Sequence, residues 1–378
     1  MTMHPALQSG WDSVPTEYAS ERDELIAWKI RALLVGYHFH WVGSGWTTLS
    51  KEEVFHVPIV NPATGRSSRT HTQAGVYDGI IEREGKRFLL EQKTSSEDIA
   101  DPNSAFWRRT VFDSQVSMYV ASQIQQGSVL DGTVYDAVRK PGIRPKSIPV
   151  GKRNSNADEA TGTQMEILDR GTYFGVAASE SAIEACRSGA CVETPALYYC
   201  RLARDTLVNP EKYYQRRIIP RLREDLIDFS HELWEVSHDI RETEKNGRHY
   251  RNSGACMPFG TPCEYISICA GESDPDGDQW RQREHVHTEL GNGFGEAVLT
   301  NSRIKTYQTC RRKHYFRYVK AIEKVDSETK EALYFGSMWH VAQEHWWNYF
   351  LDEETENGSE DEDASEHQQQ GGDGEIIS

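Results

Sequence analysis

The sequence predicts an α/β fold, from three observations. Runs rich in β-branched and aromatic residues alternate with stretches whose apolar residues recur at helical intervals. The 378 residues, 26% charged and 37% hydrophobic, have the balance of a globular protein, long enough for one large domain or two ordinary ones. Gly75–Ile81 and Phe88–Lys93 flank the polar segment Glu82-Arg83-Glu84-Gly85-Lys86, the pattern of a β-hairpin.

Taken in order, residues 20–42 predict a helix, with Leu25, Ile26, Trp28, Ile30, Leu33 and Leu34 as its apolar stripe. Residues 51–60 predict a strand that ends in the turn Asn61-Pro62-Ala63-Thr64-Gly65. The hairpin follows, then a polar loop over 94–103. From Phe106 a helical pattern runs through Trp107, Val111, Gln115, Met118, Tyr119 and Ile124, with Gln115 and Tyr119 on one face. Val129–Val138 predicts a strand. Residues 154–205, rich in Ser, Gly and Ala, lack periodicity and are expected to form an insertion or flexible subdomain. Tyr213–Thr243 predicts a helical region, with Ile218, Ile219, Leu222, Leu226 and Leu233 at helical intervals. Ser302 is placed to cap a helix towards Val319, and a second helix from about Leu333 carries Trp339, His340, Trp346 and Trp347. The expected organisation is a loose segment 1–20, a core 21–285 containing the insertion 154–205 and a Cys-rich segment 250–270, a linker 286–300, two helices over 301–350, and a disordered acidic tail 351–378.

Glu91 and Lys93, two apart, stand on one face of their strand and can meet Asp78. Two carboxylates and a lysine at a strand end suit hydrolysis of a phosphodiester. The carboxylates hold a hard divalent cation, which offsets developing charge and lowers the pKa of a water that the lysine steers or deprotonates. An ordinary charged surface hairpin carries the same residues, so the neighbouring motifs decide.

The net charge of −16 argues superficially against a nucleic-acid partner. Residues 351–378 hold 11 acids and no Lys or Arg, which leaves 47 acids against 42 bases elsewhere. Arg139, Lys140, Arg144, Lys146, Lys152 and Arg153 form one basic run. Arg311, Arg312, Lys313, Arg317 and Lys320 form another; each is either a phosphate-binding patch or a solvated face. No apolar run approaches the roughly 20 residues that span a bilayer, and no signal-peptide pattern opens the sequence, so a cytoplasmic protein is expected. Seven cysteines without a secretory signal argue against a disulfide framework. Cys256, Cys263 and Cys269 are spaced C-x6-C-x5-C and need a fourth partner, for which Cys310 is the best candidate. An iron–sulfur cluster, zinc, and unligated thiols all remain open. Cys186, Cys191 and Cys200 read as incidental.

With these motifs in place, the sequence resembles the PD-(D/E)XK nuclease superfamily, specifically its RecB-like branch with a Cys-ligated cluster. Asp78 matches the motif's first acid and Glu91-Gln92-Lys93 the E-x-K element. Gln115-Val116-Ser117-Met118-Tyr119 matches the Q-x-x-x-Y helix, and Phe335-Gly336-Ser337-Met338-Trp339-His340 looks like the G-x-x-x-H segment. Ser302–Phe316 looks like the family's opening helix with the first cluster cysteine, Cys310. The opening helix and His segment precede the Asp strand in the family and follow it here, so the sequence looks circularly permuted; a domain completed between two chains is the rival arrangement. The resemblance implies a restriction-endonuclease-like core with a central mixed sheet, flanking helices and a Cys cluster subdomain. It implies a Mg²⁺- or Mn²⁺-dependent deoxyribonuclease, an exonuclease acting on single strands or duplex ends in recombination, repair or phage DNA processing. Asp78, Glu91, the Gln92 carbonyl and His340 would be its metal ligands; Lys93 would serve the water, and Gln115 and Tyr119 the phosphate or Lys93. Cys256, Cys263, Cys269 and Cys310 would ligate a 4Fe–4S cluster, or zinc instead. No G-x(4)-G-K-[ST] occurs, so ATP-driven unwinding would need a separate helicase or recombination partner. An endonuclease of the same fold, a non-catalytic nucleic-acid-binding module and a zinc-stabilised interaction protein are the alternatives.

Overall fold

The computed structural model describes residues 3–151, 162–189, 192–291, 293–295, 297–325 and 331–366; Lys152, Arg153 and Cys191 lie outside them. Helices α1 (Pro5–Asp12) and α2 (Glu21–Trp41) precede strands β1 (Thr47–Val60), β2 (Ser67–Arg83) and β3 (Lys86–Ser95). Helices α3 (Ala105–Thr110) and α4 (Ser114–Gln125) lead into β4 (Gly132–Arg139). Helix α5 (Pro195–Val208), strand β5 (Tyr214–Ile219) and helix α6 (Arg223–Asn246) come next. Strand β6 (Val298–Leu299) and helices α7 (Asn301–Thr309) and α8 (Glu331–Glu366) complete the frame.

The strands form a six-stranded mixed sheet in the order β1-β2-β3-β4-β5, with β6 beside β2. The β3–β4 and β2–β6 pairs are parallel and the others antiparallel. The hairpin closes where Arg83 pairs with Lys86 across Glu84-Gly85, both at positive φ (54° and 72°), the geometry that matches strand twist. β6 pairs with Thr72 and Gln73, beyond the part of β2 that β3 uses.

Helices cover both faces, and the alternation of β3 distributes its side chains between two cores. Leu90 packs with Leu33, Tyr37, Val134, Tyr214 and Trp339 under α2, α5 and α8. Leu89 packs with Phe55, Val116, Tyr119, Phe229 and Tyr307 under α4, α6 and α7. Each such burial contributes about 1.5–3 kcal/mol before entropy is counted. Helix α1 lies against α8 closely enough that a Cβ on Gly10 would come 2.8 Å from the carbonyl oxygen of Ala342.

Several sequence expectations need correction. Tyr213–Thr243 is not one helical region, because Tyr214–Ile219 is a strand at the sheet edge and Pro220 separates it from α6. The helix expected from Phe106 is broken at Asp113, which accepts from the Gln115 amide and starts α4 afresh. Thr300, not Ser302, caps α7, accepting from the Arg303 amide, and the helix ends at Cys310, whose backbone is extended. Segment 162–205 contains short helices capped by Thr163, Ser179 and Thr194, and a small core of its own with Ile148, Ile167, Tyr173 and Leu197. Three short capped helices give too few turns each for a readable period. Cys186 and Cys200 are buried in that core.

Candidate active site

The site forms where strands part. The β2–β3 ladder runs from Arg83–Lys86 to Gly79–Leu90. One step further, the Gln92 N–H donates to Asp78 Oδ2 at 2.6 Å, so the carboxylate satisfies a backbone group there. On the other side of β2, the pairs Lys51–Gly79 and Glu53–Tyr77 set Glu52 opposite Asp78, just after a register shift between Thr48 and Ser50. Glu52 has φ +48°, a conformation that costs of order 1–3 kcal/mol and gathers at functional sites. Helix α8 brings the third member. Trp339, Trp346 and Trp347 anchor it in the core, and His340 faces out of that core, its Nε2 2.8 Å from Glu52 Oε1.

Ligand atoms of Glu52, Asp78 and His340 all lie within 4.8 Å of one another. The Oε2 of Glu91 is buried with no hydrogen-bond partner. Two carboxylates and an imidazole, with an unsatisfied carboxylate oxygen on the adjacent strand, fit a hard divalent cation. The electrostatics agree. Burial raises the Asp78 pKa, opposed by His340, the Gln92 amide and Lys93. Burial also pushes up Glu52, but the His340 hydrogen bond and charge outweigh it and leave the carboxyl below its ordinary value. The Glu52 hydrogen bond in turn lifts His340, against burial.

Beside this group stands Lys93. Its ammonium pairs with Glu91, donates to Gln115 Oε1 at 3.2 Å, and lies 3.9 Å from Asp113. Burial works against its charge, yet Glu91 and Asp113 more than compensate and hold the ammonium above the ordinary lysine range. Burial pushes Glu91 up to about 7, with Lys93 opposing and Asp78 adding to the rise. Gln115 Nε2 donates to the Tyr119 hydroxyl at 2.8 Å. Gly75 runs beneath that ring; a Cβ there would come 3.1 Å from Tyr119 and 2.8 Å from Phe55.

The structure therefore brings together Asp78, Glu91, Gln92, Lys93, Gln115, Tyr119 and His340 from β2, β3, α4 and α8. Sequence reasoning missed Glu52, Lys51 and Asp113. Lys51 Nζ is buried without a hydrogen-bond partner among the described residues, and burial lowers its pKa while Asp78 and Glu52 oppose the shift. Nothing in Lys51-Glu52-Glu53 distinguishes Glu52, because its placement depends on the strand register. Asp113 carried a signal, an acid directly before a helical start.

The four other candidate residues lie together in a second region. The Asn252 amide donates to Cys310 Sγ at 3.5 Å, Cys256 Sγ donates to the Asn252 carbonyl at 3.6 Å, and the Cys263 amide donates to the Cys256 carbonyl at 2.8 Å. Burial raises the Cys269 thiol pKa, and Cys263, Cys310 and Cys256 add to the rise against Arg312. The nearby basic run is largely engaged: Arg311 pairs with Asp239, Lys313 and Arg317 with Glu264, and Arg312 donates to the His249 carbonyl. In the other run, Arg139 pairs with Asp98 and Lys140 donates to the Ala332 carbonyl.

No helix among the described residues is long and apolar enough to cross a membrane. Compared with known proteins, residues 298–372 match the family model of the PD-(D/E)XK nuclease superfamily. The matched stretch includes β6, α7 and His340 on α8, and leaves Asp78, Glu91 and Lys93 outside it. A nuclease of this superfamily is a phosphodiester hydrolase that uses a divalent metal. No curated protein and no solved structure matches the chain.

Proposed function

We propose that this chain is a divalent-metal-dependent deoxyribonuclease, an exonuclease of the RecB-like kind. The observation that carries the reading is Lys93, held between Glu91 and Gln115 beside the Glu52–Asp78–His340 group. Glu52, Asp78 and His340 would hold Mg²⁺ or Mn²⁺, with Glu91 and the Gln92 carbonyl as further donors. When bound, the cation supplies positive charge against the negative charge that develops on the scissile phosphate. Lys93 stays protonated at neutral pH, so it orients the attacking water and a phosphate oxygen by donating to them and takes no proton itself. Glu91 and Gln115 fix the direction of that ammonium, and Tyr119 fixes Gln115. The pre-set donors need no reorganisation as the reaction proceeds.

An intramolecular permutation is supported by how the stretch matched by the superfamily folds back. His340 reaches Glu52, and a Cβ on Gly336 would sit 3.7 Å from Thr94 of β3. In this reading residues 301–350 complete the core 21–285 within one chain. DNA ends are the substrate, a separate helicase or recombination protein supplies unwinding, and the setting is cytoplasmic recombination, repair or phage DNA processing. The test is a time course on end-labelled linear DNA and closed circles with Mg²⁺, Mn²⁺ or chelator. Loss of linear DNA alone, abolished by chelator, is the expected result. Cleavage of circles would replace the exonuclease with an endonuclease, and no cleavage by folded protein in either metal would leave a binding module.

Cys256, Cys263, Cys269 and Cys310 are proposed to ligate a 4Fe–4S cluster that pins the end of α7 to the segment 252–269. Their convergence around Asn252 supports this. Protein purified without oxygen should contain iron and acid-labile sulfide; stoichiometric zinc without either would overturn the cluster.

A further inference from the structure

A groove of about 540 Å³ opens beside Lys93, bordered by Arg108, Arg109, Phe112, Asp113 and Lys305. Phe112 is 88% exposed, more than any other large hydrophobic residue among those described. Leaving such a ring in water forgoes about 1.5–3 kcal/mol of burial. Its backbone is nonetheless fixed. The Phe112 amide donates to the Arg109 carbonyl at 3.1 Å, and the next residue, Asp113, accepts from the Gln115 amide at 3.1 Å. Gln115 is the residue that holds Lys93. The turn that orients the Lys93 partner therefore also holds the aromatic ring out into solvent.

The surroundings of the ring are cationic. Arg108 is exposed and has no ion pair among the described residues. Lys305 reaches in from α7, 3.8 Å from Asp113. Arg109 is paired with Glu97, and Asp113 is shared between two lysines, so the surplus charge is positive. A cationic groove with an open aromatic face is how proteins hold single strands. The cations follow the phosphates, and the ring stacks on bases whatever their identity. A duplex offers no such partner, because its internal base faces are already stacked.

We infer that Phe112 stacks on an unpaired base of single-stranded DNA next to the phosphate at Lys93, while Arg108 and Lys305 contact the flanking phosphates. This rests on the deoxyribonuclease reading for the position of that phosphate, and it makes an unpaired strand the substrate. The test measures binding rather than cutting, with chelator present and salt fixed. Wild type, Phe112→Ala and Phe112→Trp are titrated with a short oligothymidylate, an abasic strand of the same length, and a blunt duplex. Phe112→Ala should weaken oligothymidylate binding by about 10–100-fold, as loss of one stacked base does. Phe112→Trp should restore it, and the abasic strand and duplex should bind all three proteins alike. Unchanged oligothymidylate binding, or an equal loss on the abasic strand and duplex, overturns the inference. If wild type cuts no DNA in any metal and the base-dependent loss persists, the hydrolase reading fails and the stacking role stands.

Discussion

Lys93→Ala is expected to slow DNA hydrolysis by about 10²–10⁴-fold, the range lost when a positioned proton-handling or charge-stabilising group is removed. DNA binding and cation binding should survive, because Lys93 is not among Glu52, Asp78 and His340. Lys93→Arg should not rescue: the planar guanidinium cannot replace a compact ammonium held by Glu91 and Gln115. Glu52→Gln should fail differently. It keeps the side chain's size and removes one carboxylate charge, so Mn²⁺ affinity should fall by more than the roughly 10–100-fold that an outer-shell partner costs. Calorimetric Mn²⁺ titration separates the two variants. A Lys93→Ala protein that still cuts at the wild-type rate would remove Lys93 from the mechanism, and unchanged Mn²⁺ binding by Glu52→Gln would remove Glu52.

Asp136→Ala is expected to be the most destabilising single change near the site, by about 3–5 kcal/mol, because it leaves a buried charge without its partner. Asp136 is fully buried on β4 and accepts from the Tyr37 hydroxyl, Arg216 and Gln343. The Arg216 side chain is 4% exposed and lies over Trp41 at 4.0 Å and Trp347 at 5.0 Å. No water can solvate the stranded guanidinium. A thermal midpoint lower by about 10 °C would correspond to that loss in a chain of this size. The double variant Asp136→Leu/Arg216→Met should recover part of the stability, since neither charge is then left unpaired. A fall of less than 1 °C in Asp136→Ala would show that the pair contributes nothing. Gln343 lies three residues after His340 on α8, so loosening this network also loosens the residue that faces Glu52.

What could be read from the sequence followed the range of the signal. The α/β class, the hairpin and helix α2 were legible because their patterns are local and long. The second carboxylate opposite Asp78 was not, because Glu52 acquires its position only through the β1–β2 register and a bulge. Strand β5 was misread because Ile218 and Ile219 also satisfy a helical period, and only pairing with β4 decides between the two. The helices of 162–205 were invisible because each is short and depends on a Ser or Thr cap. The role of Lys93 sharpened only when its neighbours were known: sequence allows steering or deprotonation, while Glu91 and Asp113 together favour a permanent donor.

Helix α8 carries His340, and roughly 250 positions separate that residue from Lys93, a gap that a ribosome crosses in about 10–50 s at ~5–20 residues per second. A nascent chain thus displays Asp78, Glu91 and Lys93 long before His340 emerges. The acid and lysine half is made early, and the histidine arrives with a helix that must also bring Trp339, Trp346 and Trp347 into the core. Arming the site and finishing the fold are then one event. A chain interrupted anywhere before Glu331 would carry half a centre, and the cell would meet a finished blade only on a finished protein.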